Sequence, residues 1–369
     1  MQKPLLPSCF LTWTEPPDPS GAEQLRFVSW RRSLTMKGRS FREFERIVFP
    51  LLDGTRSVDE ICDSAAAAFP RDELEAAIEM LAGQGLLIDG AVASGEPPAR
   101  LATQLGYFDE TAPDGRGAQA RLTAAKVAIF GMGGAGASVA RLLATAGVGQ
   151  ILCIDPAVAD ATSPYFSGLF AEGDNGRNRA ELVAERLAAT APDPMIAWAS
   201  DRPEDSAVIA ELVAGSDLVI SCLESGELNL ALKLNQACRG AGVAWLTGSL
   251  EGSEVVAGPG FDGSPDGPCY MCYRMREVAT AADPQTRFAL ERRLDRLRRD
   301  LGARRENLAW GADILAGMLV AEAVNILTGI AEPALNGRLI VTSLLTLRQE
   351  KHVVLKKPGC PVCDRGATA

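Results

Sequence analysis

The chain has 369 residues, 47% of them hydrophobic and 23% charged, with a formal net charge of −10. That length suits two or three domains, and the acidic balance argues against nucleic acid as the main partner. No apolar run approaches the roughly 18 residues of a membrane span, residues 1–14 lack the pattern of a signal peptide, and the nine cysteines include two C-x-x-C pairs that favour metal over disulfides, so a cytoplasmic protein without a membrane partner is expected.

Residues 1–95 read as a small domain of their own. Cys9–Thr14, Arg26–Trp30 and Ser33–Lys37 are strand-like, and three short helices follow. The first, Arg39–Leu52, places Phe41, Phe44, Ile47, Val48 and Leu51 on one face. The second opens at Ser57 with Glu60 in the capping-box position. The third carries Leu74, Ile78 and Leu81 at helical spacing and closes at Gly83 and Gly85, with Leu86–Ile88 as a wing or exit strand. Strands plus three helices predict a winged helix. Its third helix also bears Asp72, Glu73, Glu75 and Glu79, which would repel a phosphate backbone. Positive charge gathers instead on Arg31, Arg32, Lys37, Arg39, Arg42 and Arg46. That is either a solvated face or an edge strand that takes up an extended acidic peptide.

Residues 96–120 are expected to form a linker. Lys126–Asp155 then reads as strand, glycine turn, helix and strand. Gly131, Gly133, Gly134 and Gly136 allow a tight turn and a close approach to a phosphate, with the helix N-terminus aimed at it. Asp155, at the end of the second strand, stands where a carboxylate can take ribose hydroxyls. The spacing satisfies both the dinucleotide pattern G-x-G-x-x-G and the ATP pattern G-x-G-G-x-G, and the loop alone does not choose between NAD and ATP. Helices and strands alternate onward to Thr247. The expected fold is α/β, a doubly wound and mostly parallel sheet over residues 121–369. Arg287–Arg305 reads as an amphipathic surface helix or a docking face, Trp310–Leu327 as a core helix, and Gly337–Leu345 and Leu347–Leu355 as the last strands.

Cys269, Cys272, Cys360 and Cys363 form two knuckles of two thiolates each. Four soft ligands suit tetrahedral zinc and leave no open position, so the metal is expected to be structural.

Taken together, the glycine loop, Asp155 and the paired C-x-x-C resemble the ThiF/MoeB/HesA adenylating family, relatives of the ubiquitin-activating enzymes. The likeness runs from about Arg100 to Cys363 and includes GAQARLTAAKVAIFG, GRNRAELVAERL and LNGRLIVTSLL with CPVC. It implies magnesium–ATP activating a carboxylate at the C-terminal edge of the sheet, often across a homodimer. The family's asparagine–arginine pair should fall in Asp160–Ser167, yet that stretch is DATSPYFS and holds no arginine. Its lysine corresponds to Arg179 and its magnesium-binding aspartate to Glu224; both keep their charge sign but change reach. Apart from the four knuckle cysteines, the region after Thr247 holds no cysteine for a thioester.

A narrower resemblance concerns peptide natural products. SLTMKG, PLLDGTRSVDEI and LAGQGLL are similar to the leader-recognition element of ribosomal peptide pathways. AWLTGSLEGSEVVAGPGF and GPCYMCYRMRE are similar to ThiF-like proteins that partner YcaO cyclodehydratases in azoline and azole formation. The resemblance implies that a precursor's leader adds a strand beside Ser33, Leu34, Thr35, Met36 and Lys37 and packs near Leu74, Ile78 and Leu81. The expected role is to bind and present that peptide. The alternative is an enzyme that itself adenylates a carboxylate or amide of a ribosomal peptide.

Overall fold

Short apolar runs bounded by glycine and proline build the molecule, and a computed structural model describes residues 1–90, 99–112, 115–191, 193–200, 205–223, 227–296 and 308–364. The chain divides into two units, Met1–Arg121 and Leu122–Ala369.

In the first unit, β1 (Pro4–Leu5) and β5 (Ile88–Asp89) pair as a small antiparallel ribbon. β2 (Leu11–Glu15), β3 (Glu23–Val28) and β4 (Ser33–Gly38) form an antiparallel meander in that order, so β2 and β4 are its two edges. Helices α1 (Phe41–Ile47), α2 (Val58–Ala65) and α3 (Arg71–Gly83) follow, then α4 (Ala102–Thr111) and α5 (Gly115–Ala124), which occupy the stretch expected as linker. Alternation in β3 sends Leu25 and Phe27 inward, where they meet Val48, Leu52, Ile61, Leu74, Ile78 and Leu81. The capping box at α2 is formed: the Ser57 hydroxyl accepts from the Glu60 N–H and the Glu60 carboxylate accepts from the Ser57 N–H. The segment read as a wing or exit strand pairs with β1, outside the three-stranded sheet. That placement follows from the Gly54 N–H and the Gly90 N–H, which donate to Pro4 O and Lys3 O and draw both ends of the helical region onto the N-terminal strand.

The second unit holds one eight-stranded sheet. Its strands are β6 (Lys126–Phe130), β7 (Gln150–Ile154), β8 (Met195–Ala199), β9 (Leu218–Ser221), β10 (Ala244–Glu251), β11 (Glu254–Phe261), β12 (Arg338–Ser343) and β13 (Gln349–Val353). The order is β13-β12-β11-β10-β9-β6-β7-β8. From β10 to β8 every pairing is parallel, and β10 through β13 are antiparallel. The parallel part is the doubly wound sheet expected. β10 and β11 meet antiparallel across the tight turn Glu251-Gly252-Ser253-Glu254. Helices α6 (Gly134–Thr145), α7 (Arg179–Thr190), α8 (Ser206–Val213), α9 (Leu228–Ala241), α10 (Tyr270–Thr280), α11 (Pro284–Arg296) and α12 (Ala309–Thr328) complete the unit. Much of the arginine-rich stretch, residues 297–305, lies outside the described residues.

One feature departs from the expectation about apolar runs. The 20-residue α12 is long and apolar enough to cross a membrane by length and composition. In the fold it packs on α6, β10 and β11, with Ala312, Ala316, Leu319 and Ala323 fully buried. The Ser138 hydroxyl donates to Asp313 Oδ1 at 2.6 Å and ties α6 to this helix.

Candidate functional site

The glycine loop leaves β6 at Phe130 and enters α6 at Gly134. Gly131 has φ +89°, which side chains with a Cβ rarely adopt, and a Cβ there would lie 2.5 Å from Cys222 O. At Gly136 a Cβ would lie 1.7 Å from Gly131 O. Here glycine is a steric requirement at two positions, since the helix runs directly against the turn that precedes it. Gly133 is the helix N-cap and offers no side chain, so the first N–H groups of α6 carry no side-chain cap.

Asp155 secures this loop. One carboxylate oxygen accepts from the Met132 N–H at 2.6 Å and the other from the Ala157 N–H at 2.7 Å. Its own N–H donates to Ala199 O on β8. Asp155 is buried. These two bonds make Asp155 the clasp of the loop. Asn178, which sequence reasoning passed over inside GRNRAE, is a second clasp. Its Nδ2 donates to Asp155 O at 2.9 Å and Ala157 O at 3.3 Å, and its Oδ1 caps α7 through the Glu181 N–H. The signal available was an asparagine before an amphipathic helix.

Arg179, the first residue of α7, is buried, and its N–H donates to Ala157 O at 2.9 Å. The residues 160–167 expected to matter for phosphate form a self-contained turn. Asp160 Oδ1 accepts from the Thr162 hydroxyl at 2.6 Å and the Thr162 N–H at 2.8 Å. The Thr162 hydroxyl and the nearby Arg179 guanidinium hold the Asp160 carboxyl below the usual carboxylate range, although partial burial opposes them. Farther along, Arg186 binds Asp174 and Arg177 binds Glu185 at 2.7 Å. Thus the cations gathered around this region already face carboxylates. Glu224 lies outside the described residues. Cys222, next to the loop at the end of β9, has its thiol pushed up to about 12 by burial, which makes it a poor nucleophile.

The four cysteines converge as expected. Cys269 N-caps α10, Cys272 lies in its first turn, and Cys360 and Cys363 come from the tail beyond β13. The Sγ atoms all lie within 4.8 Å of one another, with 3.9 Å between Cys269 and Cys272, 3.7 Å between Cys269 and Cys360, and 3.3 Å between Cys272 and Cys363. A tetrahedral ion with bonds of about 2.3 Å requires sulfur separations near 3.8 Å, so the donor set fits. The Lys357 N–H donates to Cys272 Sγ at 3.3 Å, as a thiolate would invite. Burial works against ionising Cys360, but the N–H groups of Cys363 and Val362 and the neighbouring thiols bring it down to about 7. This group can bind a metal such as zinc, and it would fasten the tail to α10.

In the first unit the two halves of the expected peptide site meet in one apolar cluster, with Leu34 and Met36 packed against the group that holds Leu74, Ile78 and Leu81. On β4, Ser33, Thr35 and Lys37 are exposed and Leu34 and Met36 are half-buried. Leu74, Ile78 and Leu81 are only 1–3% exposed and belong to the core of their own domain. Helical spacing correctly put them on one face, and that face is turned inward.

Comparison with known proteins agrees with this architecture. Residues 101–362 match the ThiF family. The SAMP-activating enzyme E1 of Haloferax volcanii is 29% identical over 280 residues, 72% of this chain and 91% of that protein. The molybdopterin-synthase adenylyltransferase of Escherichia coli is 25% identical over 252 residues, 67% of this chain and 90% of that one. Among solved structures, E. coli MccB with MccA-N7isoASN superposes with a TM-score of 0.67 at 18% identity, covering 98% of this chain and 100% of MccB. PaaA superposes with a TM-score of 0.66 at 20% identity, covering 94% and 99%.

Proposed function

Because the chain belongs to the ThiF family, we propose that it is a ThiF-type protein of ribosomal peptide maturation that binds a precursor's leader on β4 and presents the peptide to a YcaO-type cyclodehydratase. In this reading residues 1–95 act as a winged-helix leader-recognition element.

The observation that carries the reading is the open edge of β4. The Ser29 N–H donates to Arg32 O across the β3–β4 turn, and the register pairs Phe27 with Leu34 and Leu25 with Met36. Antiparallel alternation then directs the N–H and C=O of Leu34 and Met36 at β3, and those of Ser33, Thr35 and Lys37 outward. An incoming strand finds three consecutive outward positions, beside the exposed cations Arg31, Arg39 and Arg42 that would steer an acidic leader. Leu74, Ile78 and Leu81 support β4 from within the core rather than touching the peptide.

The ThiF site supports presentation more than independent chemistry. The loop for a nucleotide is complete, with Gly131, Gly133, Gly134, Gly136 and Asp155 as its binding residues. The positive charge that a triphosphate needs is reduced to Arg179, which faces Asp160. Cys269, Cys272, Cys360 and Cys363 would hold a structural zinc. The second reading, an enzyme that adenylates the peptide with Arg179 and Glu224 around magnesium–ATP, draws on the adenylyltransferase names of its relatives and on a solved complex of E. coli MccB with ATP.

The peptide reading is tested by replacing Thr35 with proline, which removes one outward amide and leaves the ladder to β3 intact. Thr35→Pro should weaken leader binding at least tenfold, measured by fluorescence anisotropy, while Tm stays within a few degrees of wild type. Unchanged affinity would place the peptide elsewhere.

A further inference from the structure

Helix α9 buries Leu230, Ala231, Leu234 and Cys238 in an apolar cluster with side chains of the large sheet, Val219 and Trp245 among them. Asn235 lies one turn after Ala231 on the same helix and is only 1% exposed. An apolar residue would continue that stripe, because an amide leaving water must recover its hydrogen bonds. Asn235 recovers them only in part. Its Oδ1 accepts from the Tyr270 N–H at 3.0 Å, and its Nδ2 has no partner among the described residues. A buried donor left alone lowers stability, so asparagine does not serve the core here. The bond to Tyr270 is what it supplies and an aliphatic side chain does not.

Tyr270 is the first residue of α10 and directly follows Cys269. Cys269 is the N-cap and its side chain makes no capping hydrogen bond, so the first N–H of the helix needs an acceptor from outside. Asn235 of α9 provides it. The turn so fixed carries Cys269 and Cys272, whose Sγ atoms are 3.9 Å apart and which are both fully buried. The Tyr270 ring is held as well, its centroid 5.2 Å from that of Trp245 on β10. Backbone and ring of one residue inside the first knuckle are thus anchored to two other elements of the fold.

We propose that Asn235 is a positioning residue of the metal centre: from α9 it holds the Tyr270 N–H and so sets the turn that presents Cys269 and Cys272 to one ion. This rests on the reading of the four cysteines as a zinc site. Asn235 is not itself a ligand; it fixes the direction of two ligands, and groups in that role commonly change metal affinity by about tenfold to a hundredfold. With the first knuckle held in advance, Cys360 and Cys363 of the tail complete the donor set around an ion already placed.

The test follows zinc transfer from the full-length, zinc-loaded protein to a chromogenic chelator. Asn235→Leu keeps the volume, continues the apolar stripe and removes the acceptor; transfer should become about tenfold faster or more. Asn235→Ala, which removes the acceptor without adding apolar volume, should do the same. Leu182→Ala, at a fully buried position on α7, a helix packed on β7 and β8, lowers Tm by making a cavity and should leave the transfer rate unchanged. In cobalt-substituted protein the thiolate absorption bands should shift in Asn235→Leu and stay in place in Leu182→Ala. Transfer at the wild-type rate in both Asn235 variants would overturn this inference alone, as would equal acceleration by Leu182→Ala. A wild-type protein that takes up no zinc on anaerobic reconstitution would overturn the zinc reading together with it.

Discussion

The glycine loop and the segment 160–179 follow the neighbouring strands β6 and β7, yet they are built under opposite constraints. In the loop, atoms are fixed by contact: a single methyl at Gly136 would fall on Gly131 O, and Asp155 clasps the turn from below. In 160–179, polar groups satisfy one another, with Asp160 holding its own turn and facing Arg179. The first region keeps the shape of a nucleotide site. In the second, Arg177, Arg179 and Arg186 each lie near a carboxylate. The contrast teaches that neighbouring loops of one fold can be fixed by backbone contact in one case and by polar pairing in the other.

Four experiments break or sharpen that contrast. Gly136→Ala should be the most damaging, costing about 3 kcal/mol or more because backbone must move; urea unfolding measures it, and a loss below 1 kcal/mol would mean the loop is looser than described. Breaking the part-buried Asp174–Arg186 pair with Asp174→Asn should cost about 1–2 kcal/mol at neutral pH. Burial raises the Asp174 pKa, but the Arg186 guanidinium outweighs it and holds it below the usual range. Its stabilisation is therefore fully present above the unfolded value of about 3.9 and is lost as pH falls through the lower folded value. Wild type and variant should accordingly converge in acid unfolding curves; a gap that persists at the lowest pH would mean packing, not charge, is lost.

Cys360→Ser should release the metal and lower Tm by several degrees, by elemental analysis and calorimetry; full retention of metal would sink the four-cysteine assignment. The smallest effect is expected at Asp160→Asn. Removing that negative charge beside Arg179 should tighten ATP binding by about threefold in calorimetric titration, with the glycine loop untouched. Weaker binding would show that Asp160 serves the nucleotide.

Much of this was readable from residue order. Four glycines between a buried strand and a small-residue helix gave the loop, and two C-x-x-C pairs gave the cluster, because both depend on local chain geometry that spacing records. Helical periodicity placed Leu74, Ile78 and Leu81 on one face but could not tell a core face from a binding face; that depends on β3 bringing Leu25 and Phe27 against it. Asn178 escaped notice because its role joins two backbone oxygens 21 and 23 residues away.

The most direct test of the central claim is ATP–pyrophosphate exchange by the purified full-length chain with its cognate precursor, alongside leader-binding measurements. The account predicts tight leader binding and no precursor-dependent exchange, with cyclodehydration appearing only when the YcaO partner is added. Exchange that requires the precursor and vanishes in Glu224→Ala would contradict it and make this chain the adenylating enzyme itself.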